Sequence, residues 1–126
     1  MLLDTLVFLW LLTEPERLGE RLPLLEDSRN ELLVSAASSW EISIKHARGR
    51  LPLPEPPELY VPKRLRQMGA VPLAIEHSHA LAVADLPTLH RDPFDRMLVA
   101  QAGLLGVPIL TADPQIAQYP INSLLV

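Results

Sequence analysis

The most constraining feature of this sequence is its rhythm. Five short apolar runs, Met1–Leu3, Glu31–Ser35, Val71–Ile75, Val107–Leu110 and Ile121–Val126, are separated by stretches with helical patterning. Strands that alternate with helices rejoin one sheet through crossovers, which are right-handed and leave the strands parallel. The expected fold class is therefore α/β: a three-layer α/β/α sandwich around a central, mostly parallel sheet of four to five strands. Such sheets bind ligands beyond the carboxyl ends of their strands, so the residues that directly follow the apolar runs are where chemistry is expected.

Helices are expected from Thr5 to Leu12, Glu16 to Asp27, Ala36 to Arg48, Glu58 to Met68 (with Pro62 limiting its first turn), Glu76 to Ala84 and Pro93 to Leu105. The last is the clearest. Phe94, Met97, Leu98, Gln101, Leu104 and Leu105 fall on one face at three- and four-residue spacing, and Gly106 is a normal helix stop. Leu51 to Pro57 (LPLPEPP) holds four prolines in seven residues and reads as an extended loop. With 126 residues, residues 1–126 are expected to form a single domain. The apolar run Leu6–Leu12 is too short for the roughly 20 residues a bilayer requires. It has no basic residue before it, Arg17 being the first, so neither a membrane span nor a signal peptide is expected and a cytoplasmic location is. The absence of cysteine excludes a disulfide scaffold, a thiolate zinc site and a cysteine nucleophile.

Four carboxylates converge on one rim of this expected sheet. Asp4 directly follows the first strand, and Asp113 lies three residues after Leu110. Asp95 sits in the first turn of the Pro93 helix. Glu41 lies inside the helix that leaves the second strand, roughly 40° from Ala37 and 60° from Ile44 on the helical wheel, bordering its apolar stripe. Carboxylates crowded together repel one another unless protonated or neutralised by a cation, and an all-oxygen donor set suits Mg²⁺ or Mn²⁺. A bound ion of this kind activates water and stabilises charge on a phosphodiester, which points to metal-assisted hydrolysis of nucleic acid. Plainer readings stand beside this one. Asp4 fits a helix cap, Asp113-Pro114 and Asp92-Pro93 fit an N-cap followed by proline, Asp95 fits the third position of such a cap, and Glu41 fits an i,i+4 pair with Lys45.

The segments MLLDT, VSAASSWEISIKHARGRLPLP, HRDPFDRMLVAQA and LTADPQI together resemble the PIN-domain family, and within it the VapC-type toxins of bacterial toxin–antitoxin pairs. The resemblance spans essentially the whole chain, and HRDPFDRMLVAQA followed by LTAD is its most specific part. Relative to the usual pattern, the lead before the first strand is one or two residues shorter. The resemblance implies a metal-dependent endoribonuclease that uses Mg²⁺ (or Mn²⁺), cuts RNA such as transfer RNA to leave a 5′-phosphate and a 3′-hydroxyl, forms a homodimer, and is neutralised by a VapB-like antitoxin. It assigns the four catalytic, metal-binding acids to Asp4, Glu41, Asp95 and Asp113. Thr5, Ser35, Asp92, Arg96 and Thr111 lie beside these acids as auxiliary candidates, for orienting carboxylates or water or for pairing with a carboxylate or phosphate; simple capping or a surface ion pair is the plainer reading of each.

Basic residues cluster mid-chain, at Lys45, Arg48, Arg50, Lys63, Arg64 and Arg66, and Lys45, Arg48 and Arg50 are candidates for guiding RNA phosphates. The four histidines are scattered without metalloprotease spacing; His90 precedes the acidic segment and is a lesser candidate for approaching substrate. Trp10, Trp40 and Phe94 read as core or interface residues. The proline-rich Leu51–Tyr60 stretch fits either an antitoxin groove or a cover for the sheet edge. A net charge of −4 seems to oppose nucleic-acid binding, but setting the four acids aside leaves 11 acids against 11 bases. Two other classes fit the same layout: a non-catalytic PIN-like module that binds RNA or a partner, and a phosphoacceptor receiver domain. The receiver would need a lysine near the last strand, and none lies beyond Lys63.

Overall fold

A computed structural model describes residues 1–126. All five expected strands form, as β1 (Leu2–Leu3), β2 (Leu33–Ser35), β3 (Val71–Leu73), β4 (Ile109–Thr111) and β5 (Ser123–Leu125). They make one sheet in the order β3-β2-β1-β4-β5, and every pairing is parallel. The helices are α1 (Thr5–Thr13), α2 (Leu22–Glu26), α3 (Ala36–Ala47), α4 (Pro57–Met68), α5 (His77–Ala82) and α6 (Pro93–Leu105).

Alternation along the strands divides the core into two layers. Leu2, Leu33 and Ile109 pack with Leu98, Val99 and Ala102 of α6, while Leu3, Val34 and Leu110 face Val7, Phe8, Ile42, Val61 and Leu65. Leu2 and Leu3 are wholly buried on opposite faces of the central strand. Burial of one leucine is worth about 1.5–3 kcal/mol, against about 1 kcal/mol net for a hydrogen bond. Packing on both faces therefore holds so short a strand in place more than its few ladder bonds do.

Two sequence expectations change. The helix expected over Glu16–Asp27 is interrupted: Gly19 adopts φ 51° and ψ −125°, which splits the segment into 3₁₀ turns over Pro15–Arg21 and the short α2. Of the core and interface readings of Trp40, its exposure excludes the core one. It is 60% exposed and meets Phe94 edge-on at 5.0 Å. Gln101, a polar residue on the apolar face of α6, is fully buried because its Nε2 reaches the Ala74 carbonyl and the His79 ring at 3.2 Å each, tying α6 to α5. No helix is long and apolar enough to cross a membrane.

Candidate metal centre at the carboxyl rim

The parallel sheet brings the chain ends of β1 and β4 side by side, because Leu3 pairs with Leu110. Asp4 follows the first strand and Asp113 the second, so the topology alone places both at one rim. The first turn of α6 carries Asp95 to the same rim, and the second turn of α3 carries Glu41. Together with Asp92, these carboxylates line a cleft of about 410 Å³ that also contains Thr5 and Lys45.

Each acid is held differently. Asp4 caps α1, its Oδ1 accepting from the Val7 amide at 2.7 Å, and its Oδ2 accepts a short hydrogen bond from the Thr111 hydroxyl. Thr111 also accepts from the Asp113 amide at 3.0 Å, so one hydroxyl sets the relative positions of two acids. Asp113 Oδ1 accepts from the Gln115 amide at 2.9 Å. Asp92 Oδ1 caps α6 through the amides of Phe94 and Asp95. The cap readings of Asp4 and Asp92 are thus correct as geometry, yet both residues still line the cleft; capping engages one oxygen of each, and the other is held by Thr111 in Asp4 and is uncommitted in Asp92.

Glu41 is 7% exposed. Its Oε2 pairs with Lys45 Nζ at 2.8 Å, as i,i+4 spacing allows, but its Oε1 is buried without any hydrogen-bond partner. A buried carboxylate oxygen left bare costs about 1–3 kcal/mol or more. That oxygen is available to a group that comes from outside the chain. The acids carry the same imprint. Burial raises the pKa of Asp4 above the usual carboxylate range, although the Thr111 hydroxyl and the amides of Val7 and Ala112 oppose it. Asp95 is pushed up to about 6, first by burial and then by the neighbouring charge of Asp92, against a hydrogen bond with His90. An all-oxygen, negatively charged, partly unsatisfied donor set fits a hard divalent cation.

The auxiliary candidates separate clearly. Thr5 donates to Ser38 Oγ at 2.9 Å and joins α1 to α3. Ser35 is fully buried and caps α3 through the Ala37 amide at 3.0 Å. Arg96 does not face the carboxylates. Its guanidinium reaches the carbonyls of Pro87, His90 and Val83 and the Tyr119 hydroxyl, pinning the segment that precedes α6. Arg48 and Arg50 are exposed beyond the end of α3 and do not line the cleft, whereas Lys45 does.

Sequence reasoning placed His90 near the acids without a defined contact. Its Nε2 lies 2.8 Å from Asp95 Oδ2 and 3.2 Å from Asp113 Oδ2. The signal was present in the cap: with Asp92 at the cap position, residue 90 precedes the turn into the helix and folds back over residue 95 at the third helical position.

The model of the PIN domain family matches residues 1–122. A 64-residue stretch is 45% identical to Ribonuclease VapC16 of Mycobacterium tuberculosis (strain ATCC 25618 / H37Rv), covering 51% of this chain and 45% of that protein, so the match spans less than half of the relative's length. Among solved structures, VapBC2 from Rickettsia felis bound to a DNA fragment from its promoter superposes with a TM-score of 0.74 at 13% identity, covering 99% of this chain and 97% of the other. FitAcB from Neisseria gonorrhoeae gives 0.65 at 20% identity over 97% and 94%. DNA-bound VapBC from Salmonella typhimurium gives 0.65 at 19% identity over 98% and 95%. At these identities the structural likenesses establish the fold.

Proposed function

The chain belongs to the PIN domain family, and from that premise we propose that it is a divalent-metal-dependent endoribonuclease of the VapC type, restrained by a VapB-like antitoxin. One observation carries the reading: Asp4, Glu41, Asp95 and Asp113, delivered by four separate segments, line one cleft in which Glu41 Oε1 is buried and unpaired. The 45% identity to a protein named as a ribonuclease supports RNA as the substrate, and the fold shared with VapBC complexes supports an antitoxin partner. A homodimer, and structured RNA such as transfer RNA as target, complete the proposal.

Asp4, Asp95, Asp113 and Glu41 are the residues that would hold Mg²⁺ or Mn²⁺. When bound, such an ion lowers the pKa of a water and stabilises the negative charge that develops on the phosphoryl group. The rest of the work falls to this chain's side chains. Thr111 fixes the spacing of Asp4 and Asp113 through its hydroxyl. Lys45 holds Glu41 by one oxygen and leaves the other without a partner. The half-exposed Lys45 ammonium also offers a point charge to an incoming phosphate. Trp40, exposed and packed edge-to-face with Phe94, is next in sequence to Glu41 and offers aromatic surface on which a base can stack.

The test is cleavage of a panel of structured RNAs by the purified protein, with Mg²⁺, with Mn²⁺ and with EDTA, alongside Asp4→Asn. The expected outcome is cleavage that requires the metal and disappears in the variant. Cleavage that persists in EDTA overturns the metal mechanism. RNA binding without cleavage under any metal favours a non-catalytic binding module instead.

A further inference from the structure

The contact between His90 and two of the acids goes beyond the carboxylate set. Three ligand-capable atoms, His90 Nε2, Asp95 Oδ2 and Asp113 Oδ2, lie within 4.8 Å of one another. The nitrogen is 2.8 Å from one oxygen and 3.2 Å from the other. Adjacent ligands of a six-coordinate ion with bonds of about 2.1 Å are about 3 Å apart, so this nitrogen stands from both oxygens at the separation of neighbouring ligands in one shell. Asp95 and Asp113 line the cleft together with Glu41, which is more than nine-tenths buried and whose Oε1 has no partner, while His90 lines the neighbouring depression with Thr88, Arg91 and Gln115 and reaches the two aspartates from that side.

The imidazole is fixed there by its backbone. Arg96 donates to the carbonyls of Pro87 and His90 and to the Tyr119 hydroxyl, which locks the segment leading into α6. His90 is poorly placed to receive substrate phosphate, because its Nε2 already faces two anionic groups and its side chain is only 16% exposed. In the metal-free protein that nitrogen shares a hydrogen bond with Asp95 Oδ2, and a cation bound there would take the place of the shared proton.

We propose that His90 is a ligand of the metal centre, supplying Nε2 beside the carboxylates of Asp95 and Asp113, and that this nitrogen shifts the preference of the site from Mg²⁺ toward first-row transition dications such as Mn²⁺. The chemistry follows from donor type. Mg²⁺ favours oxygen and retains its waters, whereas affinity for the transition dications rises at mixed nitrogen–oxygen sites. The inference rests on reading the cleft as a divalent-metal site, and its test separates the two.

Mn²⁺ is titrated into the full-length protein and followed by electron paramagnetic resonance; Mg²⁺ affinity is read by competition, and electron spin-echo envelope modulation reports nitrogen bound to the ion. The wild type is expected to show nitrogen modulation that changes when histidine is labelled with ¹⁵N and vanishes in His90→Ala. That variant should lose about tenfold or more of its Mn²⁺ affinity, with a smaller loss for Mg²⁺. The labelled wild type gives its answer whether or not the variant folds. Mn²⁺ bound in the cleft without nitrogen modulation, together with an unchanged ratio of Mn²⁺ to Mg²⁺ affinity in His90→Ala, overturns the role of His90 and leaves the carboxylate site standing. No Mn²⁺ binding by the wild type overturns both.

Discussion

Asp95 and Arg96 are neighbours in the chain, on the first turn of one helix, and their charges meet opposite environments. Arg96 is saturated, since its guanidinium reaches three backbone carbonyls and a tyrosine hydroxyl. Asp95 stands in a cleft with four other carboxylates, and its pKa rises to about 6. A charge whose partners all lie within the fold serves the fold. A charge held at a cost, beside a buried oxygen with no partner, is kept for something the chain does not contain. If that contrast is correct, substitutions on the two sides should fail in different ways: on the acidic side by loss of chemistry with stability kept or raised, and on the arginine side by loss of stability.

The largest effect is expected on the acidic side. Glu41→Gln and Asp113→Asn should each lower RNA cleavage by about a hundred- to a thousandfold, the scale of losing one preorganised electrostatic group, while circular dichroism shows the fold intact. Near wild-type cleavage in either variant would break the contrast at its stronger end.

The next effect is thermodynamic. The Asp95 pKa is raised on folding, from about 3.9 in an unfolded chain to about 6. Between those values the folded state binds more protons than the unfolded state, so stability falls as pH rises. In metal-free protein the contribution is fully present below about pH 4 and is lost as pH climbs through 6, a change of about 2–3 kcal/mol. Urea denaturation in EDTA across this range should show the fall. Asp95→Asn should remove its share of the fall and leave that of Asp4, whose pKa is also raised, and saturating Mn²⁺ should recover stability above pH 6. A metal-free stability that rises through this window would show that the hydrogen bond with His90 outweighs the burial of Asp95.

Arg96→Ala should cost about 2 kcal/mol, the scale of hydrogen bonds made by a charged group. Arg96→Lys should recover little of this, because one ammonium cannot reproduce the guanidinium fork. The urea midpoint is the readout, and an unchanged midpoint would mean that the pinned segment is held by other contacts. The smallest effect separates cap from ligand at Asp92. Asp92→Ala should cost about 1 kcal/mol through loss of the cap, whereas Asp92→Asn keeps the cap and should leave cleavage within a few-fold of wild type. A large loss of cleavage in Asp92→Asn would make Asp92 a member of the metal centre.

How much of this was legible in the sequence depends on how local each cause is. Asp4 and Asp113 could be placed because the end of a parallel strand fixes where the next residue stands, and Glu41 because a helix turns by a constant angle. The sheet itself was legible for the same reason, down to the five apolar runs that became β1 to β5. Arg96 was not legible, because its partners are Tyr119 and carbonyls of the Val83–His90 segment, whose path no periodicity describes. Trp40 could be read as either core or interface, and its exposed contact with Phe94 on another helix needed the tertiary structure. Gly19 looked like an ordinary helix position until its positive φ broke the turn there. His90 lay between these cases, with a cap that could be read and a fold-back onto Asp95 and Asp113 that needed the tertiary structure.

The central claim is that carboxylates from four segments of the chain form one divalent-metal centre. Anomalous diffraction from crystals grown with Mn²⁺, recorded at the manganese edge, tests it most directly. The account predicts an anomalous peak in the cleft, within bonding distance of Asp95 and Asp113 and of at least one of Asp4 and Glu41. Full occupancy of Mn²⁺ elsewhere on the molecule, with no peak among these carboxylates, would contradict it.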